Sequence, residues 1–352
     1  MLTPMKFRAV YKDYLWGGER LRDFGKVDPE GRRIAESWEL AHHPNGESIV
    51  DGGPDDGKTL GDLLSEYGRD LVGTLARDED LLKFPLLIKL IDAKQNLSVQ
   101  VHPNDEQATK LRPGEYGKNE MWYIVEAPSD GQLIAGLKPE VTREEFTRSI
   151  EEGRCEEDLR YVPIAAGQIL NIPAGLVHAI TAGTIVYEVQ QNADTTFRVY
   201  DYQRRGDDGK LRELHVEEAL EVSRVGEDIQ AVFPGLDLGQ GVKLLVHNRY
   251  FDVRSIRTED ELELTPAEKS FHVLTVLKGS LKILTEEGTT PVDKGETVLI
   301  PAAIKRYSLK PEGEIEAVLS QLPDPAEITR AQAAAQAQSL ELTEVVGLDP
   351  RS

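Results

Sequence analysis

The chain is poor in cysteine and in positive charge, and it has no long apolar run. A single cysteine, Cys155, among 352 residues excludes an intramolecular disulfide and fits a reducing cytosol. Basic residues number 41 against 62 acidic ones, a formal charge of −21. Such a surface repels nucleic acid and anionic membranes, so neither is expected as a partner. It also repels small anions at long range, so a phosphate would need a local basic pocket. No apolar stretch approaches the ~20 residues that a membrane span requires. The segment from Met1 to Lys6 lacks the apolar centre of a secretory signal. The expectation is a soluble cytoplasmic protein, monomeric or homodimeric. Its length and its ordinary composition, 39% hydrophobic and 29% charged, leave room for two domains with real cores.

What is present is mostly strand signal. From Phe84 onward, short apolar runs alternate with Gly, Pro, Asn and Asp. Pro85 to Ile91 is dense enough for a buried strand. Leu97 to Val101, Met121 to Val125, Gln132 to Ala135, Gln168 to Ile172, Thr184 to Val189 and Thr196 to Tyr200 read as further strands. Many short strands at this spacing point to a barrel or sandwich. A second set follows beyond residue 240: Lys243 to Val246, Phe251 to Ile256, Ser270 to Leu277, Ser280 to Thr285, Thr297 to Ile300 and Ile315 to Gln321. Helices are few. Thr59 to Tyr67 begins with a capping threonine, and Thr142-Arg143-Glu144-Glu145 has the pattern of a capping box. His215 to Val222 reads as a helix in a linker, and the alanine-rich tail from Asp324 as a docked helix or a frayed end.

The second strand set resembles a degenerate copy of the first. Gly295, five residues and Pro301 repeat Gly167, five residues and Pro173 at a constant offset. Ala303 then replaces Gly175, and Arg306 replaces His178. A separate alignment of Val125 with Leu277 places His272 where Glu120 stands.

The chemistry concentrates in the first set. Gln100 and His102 are separated by one residue, so on a strand both side chains leave the same face. Glu120 begins a later strand. Gly167, Pro173, Gly175 and His178 ask for a turn glycine, a rigid bend, a second glycine and a donor at fixed offsets. One amide oxygen, two imidazoles and a carboxylate make a set that a borderline metal such as zinc accepts, with a position left open. Taken singly, each residue has a plainer reading. Gln100 is a hydrogen-bonded strand residue, His178 a structural histidine and Glu120 a strand-start acid; only the set makes them ligands.

These residues resemble the cupin superfamily, whose HxH…E…GxxxxxPxGxxH motif appears here with Gln100 in the first histidine's place. Further stretches resemble the type I phosphomannose isomerases in their shorter bacterial form. They are Tyr14-Leu15-Trp16-Gly17-Gly18, Glu36-Ser37-Trp38-Glu39-Leu40 continuing to His43-Pro44-Asn45-Gly46, Leu97 to Pro103, Gly117 to Tyr123 and Val189 to Asp201. The resemblance spans roughly residues 8 to 321. It implies a mainly β fold, with two cupin-type β-barrel (jelly-roll) domains and a few peripheral helices. The expected division is 1–84, mixed strands and helices packed on the catalytic barrel; then 85–204, the metal-binding barrel with a helical insertion near 142–160. A linker with a helix (205–240), a second barrel without ligands (241–322) and a helical or frayed tail (323–352) follow.

The resemblance also implies one Zn2+ per chain on Gln100, His102, Glu120 and His178, and a sugar-phosphate substrate, mannose 6-phosphate exchanging with fructose 6-phosphate. Arg198, Lys118, Glu188 and Asp194 match its catalytic positions, and Lys89 and Ser98 match substrate-side positions. The eukaryotic members' long helical insert is absent, and the alanine-rich tail is extra. Proton transfer between C1 and C2 through a cis-enediolate needs a base, and Lys118, Glu188 and Asp194 all remain candidates. Arg198 either holds charge on the substrate or pairs with Asp194 or Asp201. Lys118 is otherwise a solvated loop lysine, and Lys89 the edge of a buried strand. His42 and His43 read as turn residues, His215, His247 and His272 as structural, and Trp16, Trp38 and Trp122 as core or pocket wall. The alternative is a non-catalytic or differently specific sugar-binding cupin.

Overall fold

Strand Glu120–Glu126 shows why the middle of this protein reads as continuous apolar sequence. In the computed structural model, which describes residues 2–206 and 209–348, its alternate side chains enter two different cores. Trp122 and Ile124 point one way, Met121 and Tyr123 the other. A strand covered on both faces cannot alternate apolar with polar. The same holds for Leu86–Ala93 and Thr184–Gln191, its companions in a seven-stranded sheet.

That sheet runs, in spatial order, Val232–Phe233, Ile169–Ile172, Glu120–Glu126, Thr184–Gln191, Leu86–Ala93, Glu36–Leu40 and Val10–Lys12. One face meets a five-stranded sheet: Leu159–Pro163, Gln132–Leu137, His178–Ala179, Val99–Val101 and Phe197–Tyr200. The other face packs on a nine-stranded sheet through Ile88, Leu90, Met121 and Tyr187 against Val253, Val273, Leu299 and Val318. Beyond that lies a four-stranded sheet carrying Leu262, Ile283, Tyr307 and Leu309. The fold is mainly β, and each expected jelly-roll consists of two facing sheets.

The repeated motif has a common backbone cause. Gly167 and Gly295 both adopt a left-handed conformation, with φ of +85° and +84°. Each then donates its N–H to the neighbouring strand, Gly167 to Ile124 O at 2.8 Å and Gly295 to Val276 O at 2.7 Å. Only glycine takes that φ without strain.

Two features differ from the sequence expectation, and a third decides between two alternatives it left open. The first 84 residues do not pack on one barrel alone: Val10–Lys12 and Glu36–Leu40 join the seven-stranded sheet, whereas Met5–Arg8 pairs with Thr297–Ile300 of the nine-stranded one. The insertion near 142–160 is helical only over Arg143–Glu151, capped by Thr142, with one short turn after it. From Leu159 it becomes an edge strand, Leu159–Pro163, whose partly exposed side chains gave no apolar signal. The tail is docked rather than frayed. Asp324 caps the helix Pro325–Ala337, and Ala331 and Ala335 pack against Leu236 and Leu244. Gly347–Leu348 then adds a parallel strand beside Val242–His247, and the last four residues lie outside the described ones. Among the described residues, no helix is long and apolar enough to cross a membrane.

Candidate metal centre and active site

Three adjacent short strands of the five-stranded sheet place three polar side chains in a row. Gln100 lies directly opposite His178 on one neighbour and Arg198 on the other. Residues opposed across a ladder share a face, so all three leave on the same side. Glu120 opens the strand that faces them, opposite Ile172 and Gln190. His102 follows two residues after Gln100, just beyond the strand end.

The imidazoles are held so that their outer nitrogens point at Glu120. Nδ1 of His102 lies 2.9 Å from Thr195 O, and Nδ1 of His178 lies 2.8 Å from Leu176 O. A carbonyl oxygen can only accept a hydrogen bond, so Nδ1 donates and Nε2 carries the lone pair. His102 Nε2 is 3.3 Å from Glu120 Oε1, and His178 Nε2 is 3.5 Å from Oε2. Potential ligand atoms of the three residues all lie within 4.8 Å of one another, and all three side chains are buried. Burial, then Lys118, pushes the His102 pKa down to about 3, and burial likewise lowers that of His178, so both rings are neutral. Burial acts to raise the Glu120 carboxyl, but Lys118 and the imidazoles outweigh it and hold the group well below the usual carboxylate range.

Both Glu120 oxygens are buried without a hydrogen-bond donor properly aimed at them. The Lys118 ammonium lies 2.8 Å from Oε1 and 3.3 Å from His102 Nε2, an ion pair whose geometry falls short of a hydrogen bond. A buried carboxylate facing two imidazole lone pairs is electron-rich and fits a divalent cation. Gln100 completes the set. Its Nε2 is 3.4 Å from His178 Nε2, and a half-turn of the amide would present the oxygen there.

Lys89, Ser98, Gln100, Lys118, Glu120, Glu188, Asp194 and Arg198 line one cavity of 250 Å³, and His102 and His178 meet it through Glu120. A larger cavity of 710 Å³, beside Tyr116 and Tyr250, carries none of these residues.

Lys89 is in a central strand, not at an edge. Its Nζ sits 3.0 Å from Glu188 and 3.6 Å from Glu36. Burial disfavours its charge, but the two carboxylates outweigh burial and keep it protonated. Glu188 also accepts from Trp122 Nε1 at 2.7 Å, and its pKa is raised by burial and by nearby Glu120. Asp194 accepts from Asn45 at 2.7 Å; burial raises its pKa, but Lys89 and Lys118 pull it lower. Lys118 is no solvated loop lysine, being buried among the donors. Arg198 pairs with neither Asp194 nor Asp201. It donates to Glu213 O at 2.7 Å, and its Nε finds no acceptor. Ser98 Oγ is 3.4 Å from Gln100 Oε1.

Sequence reasoning missed Glu36 and Arg212, which also line the cavity, and Asn45, which reaches Asp194. Glu36 had one visible signal, its place in the stretch Glu36-Ser37-Trp38-Glu39-Leu40 that carries the family resemblance. The remaining histidines serve elsewhere: Asn45 N and Phe84 N donate to His43 and His42, and His247 pairs with Asp252.

Residues 5–125 match the family model for the catalytic domain of type I phosphomannose isomerase, and residues 242–321 match the mannose-6-phosphate isomerase cupin domain. The mannose-6-phosphate isomerase ManA of Bacillus subtilis is 38% identical over 329 residues, covering 91% of this chain and 99% of that protein. A mannose-6-phosphate isomerase of Streptococcus mutans is 32% identical, covering 91% and 98%. Among solved structures, the mannose 6-phosphate isomerase from B. subtilis superposes with a TM-score of 0.83 at 34% identity, over 91% of this chain and 99% of that one.

Proposed function

The chain belongs to the type I phosphomannose isomerase family and is an aldose–ketose isomerase acting on mannose 6-phosphate; we propose that it does so with one zinc ion held by Gln100, His102, Glu120 and His178. The observation that carries this reading is the buried Glu120 carboxylate, ion-paired to Lys118 but accepting no hydrogen bond on either oxygen and flanked by two Nε2 lone pairs. Bound there, the cation supplies Lewis acidity to the substrate's O1 and O2.

The chain's own residues supply the rest. Moving a proton between C1 and C2 leaves negative charge on O1 and O2 in the cis-enediolate. Arg198, opposite Gln100 in register and with a free Nε, stabilises that charge through a guanidinium that stays protonated. Glu188 accepts from Trp122 on one oxygen and faces the Lys89 ammonium at 3.0 Å on the other, an ion pair that turns the carboxylate to that wall and makes it an orienting group. Asp194, with its lowered pKa, is too weak a base. Lys118 places its nitrogen among the donors themselves and, in its neutral amine form, takes the proton from one carbon and returns it as an ammonium to the other. Lys89, held by Glu36 and Glu188, and Ser98 beside Gln100 line the wall against the sugar hydroxyls. No observation favours a non-catalytic sugar-binding role.

A coupled assay tests the reading. Mannose 6-phosphate is expected to yield fructose 6-phosphate, EDTA to abolish the reaction, zinc to restore it, and glucose 6-phosphate to give little turnover. EDTA-resistant turnover would remove the metal from the account.

A further inference from the structure

We infer that Tyr250, which belongs to the half without metal donors, is a positioning residue for the isomerisation. Its hydroxyl holds Asp105, and Asp105 holds the backbone that presents Lys118. The inference rests on the reading of Lys118 as the proton carrier.

Three consecutive amides fix the segment before Glu120. Gly117 N donates to Asp105 Oδ1 at 2.9 Å, Lys118 N to Pro103 O at 2.9 Å and Asn119 N to Gln191 Oε1 at 3.0 Å. Pro103 and Asp105 closely follow His102 in the chain, so the proton carrier and the metal donors share one scaffold. Asp105 ties that scaffold to the second half. Its Oδ1 also accepts from Gln191 Nε2 at 3.1 Å, and its Oδ2 accepts from Tyr250 OH at 2.8 Å and from Arg249 at 3.2 Å. The Arg249 side chain is exposed, so the shorter bond from Tyr250 constrains Asp105 more.

Tyr250 is itself held rigidly. It lies in the turn between Val242–His247 and Asp252–Thr258, within the residues that match the cupin domain. There Asn248 Oδ1 accepts from Tyr250 N at 2.8 Å and from Phe251 N at 2.9 Å, a side chain closing its own turn. Phe251 is buried in the core that joins the two halves, and Arg249 stacks on the Tyr250 ring. The place of the hydroxyl therefore follows from how the halves pack. Tyr116, Gln191, Arg249 and Tyr250 open onto the 710 Å³ cavity, so hydrogen bonds rather than close packing set the loop on that side. A carboxylate with donors on both oxygens passes position from one to the other. Proton transfer demands near-contact geometry, so a small displacement of Lys118 costs rate steeply. The second half thus serves turnover although no residue beyond Arg212 lines the cavity that holds Lys118.

The test uses the metal-loaded full chain and Tyr250→Phe, alone and combined with Lys118→Met. In the wild-type background Tyr250→Phe should lower kcat about tenfold, with KM within about twofold and metal content unchanged. In the Lys118→Met background the same substitution should cost nothing further, because the residue through which it acts is gone. Tyr307→Phe, which takes a buried hydroxyl from His272 in the same half, should leave kcat at the wild-type value. Amide hydrogen exchange needs no turnover, and Gly117 should exchange at least about fivefold faster in Tyr250→Phe than in the wild type. An unchanged kcat in Tyr250→Phe, an equal loss in both backgrounds, or an equal loss in Tyr307→Phe would overturn the inference. If Lys118→Met keeps its turnover, the proton assignment fails by itself. Exchange at Gly117 then decides whether Tyr250 holds the loop, and equal rates in the two proteins would show that it does not.

Discussion

His272 stands in the nine-stranded sheet where Glu120 stands in the seven-stranded one: each opens its strand opposite an isoleucine, Ile300 and Ile172, that precedes a proline. The register carries further. Lys89 lies opposite Glu188 in the first sheet, and Arg254 lies opposite Leu319 at the matching place in the second. The chemistry does not carry over. His272 Nδ1 is 2.8 Å from Tyr307 OH, and Arg254 is held by Asp252 and Glu327. The second half repeats the architecture with these two side chains already partnered.

His272 therefore serves stability rather than turnover. Burial, reinforced by Arg254, lowers its pKa from 6.5 to about 3. A histidine kept neutral in the fold contributes fully above its unfolded pKa, and that contribution is lost as pH falls from 6.5 toward 3. The loss is up to about 1.4 kcal/mol per pH unit. In His272→Gln, the decline of the urea midpoint between pH 7 and pH 4.5 should be shallower than in the wild type, with activity at pH 7 retained. Parallel declines would show that His272 does not titrate in this way.

Lys89 holds two buried carboxylates together. Replacing it with methionine leaves Glu36 and Glu188 facing each other, and stability should drop by roughly 3–5 kcal/mol. Chemical denaturation measures this directly, and a change below about 1 kcal/mol would mean the clamp is not formed.

If Lys118 carries the proton, Lys118→Met should lower kcat by roughly 10²–10⁴-fold. Metal content should stay at the wild-type level. A similar loss in Glu188→Gln, with Lys118→Met near wild type, would move the proton to the carboxylate.

The loop that carries Lys118 has a tight backbone contact. A Cβ on Gly117 would sit 2.4 Å from Asp105 N, and Asp105 accepts from Gly117 N, Gln191, Arg249 and Tyr250. Gly117→Ala should push Lys118 and Glu120 out of register and reduce kcat at least about tenfold, since small misplacements at a reacting centre are costly. Unaltered kinetics would show that the loop absorbs the methyl group.

The metal site was readable in the sequence because its local geometry is written in spacing. Gln100 and His102 need only the two-residue period of a strand, and His178 follows a turn whose glycines and proline constrain the backbone. Leu86–Ala93 and Thr184–Gln191 were readable because burial on both faces leaves a run of apolar residues. Pairing between distant segments leaves no such mark: nothing in Met5–Arg8 tells that it will join Thr297–Ile300. Gly288–Val292 was missed because its side chains are mostly exposed and leave no apolar pattern, and Tyr307–Pro311 because only Tyr307 and Leu309 alternate, too short a run to stand out. Arg212 was missed because a loop delivers it, and loops carry no period.

The claim on which the account turns is that four donors hold one divalent cation used in catalysis. The most direct measurement is elemental metal analysis, with mannose 6-phosphate turnover followed on the same samples, for wild type and His178→Ala purified without chelator. The account predicts about one zinc per chain in the active wild type, and neither bound zinc nor turnover in the variant. A His178→Ala protein that keeps its metal, or turns over substrate without one, would contradict it.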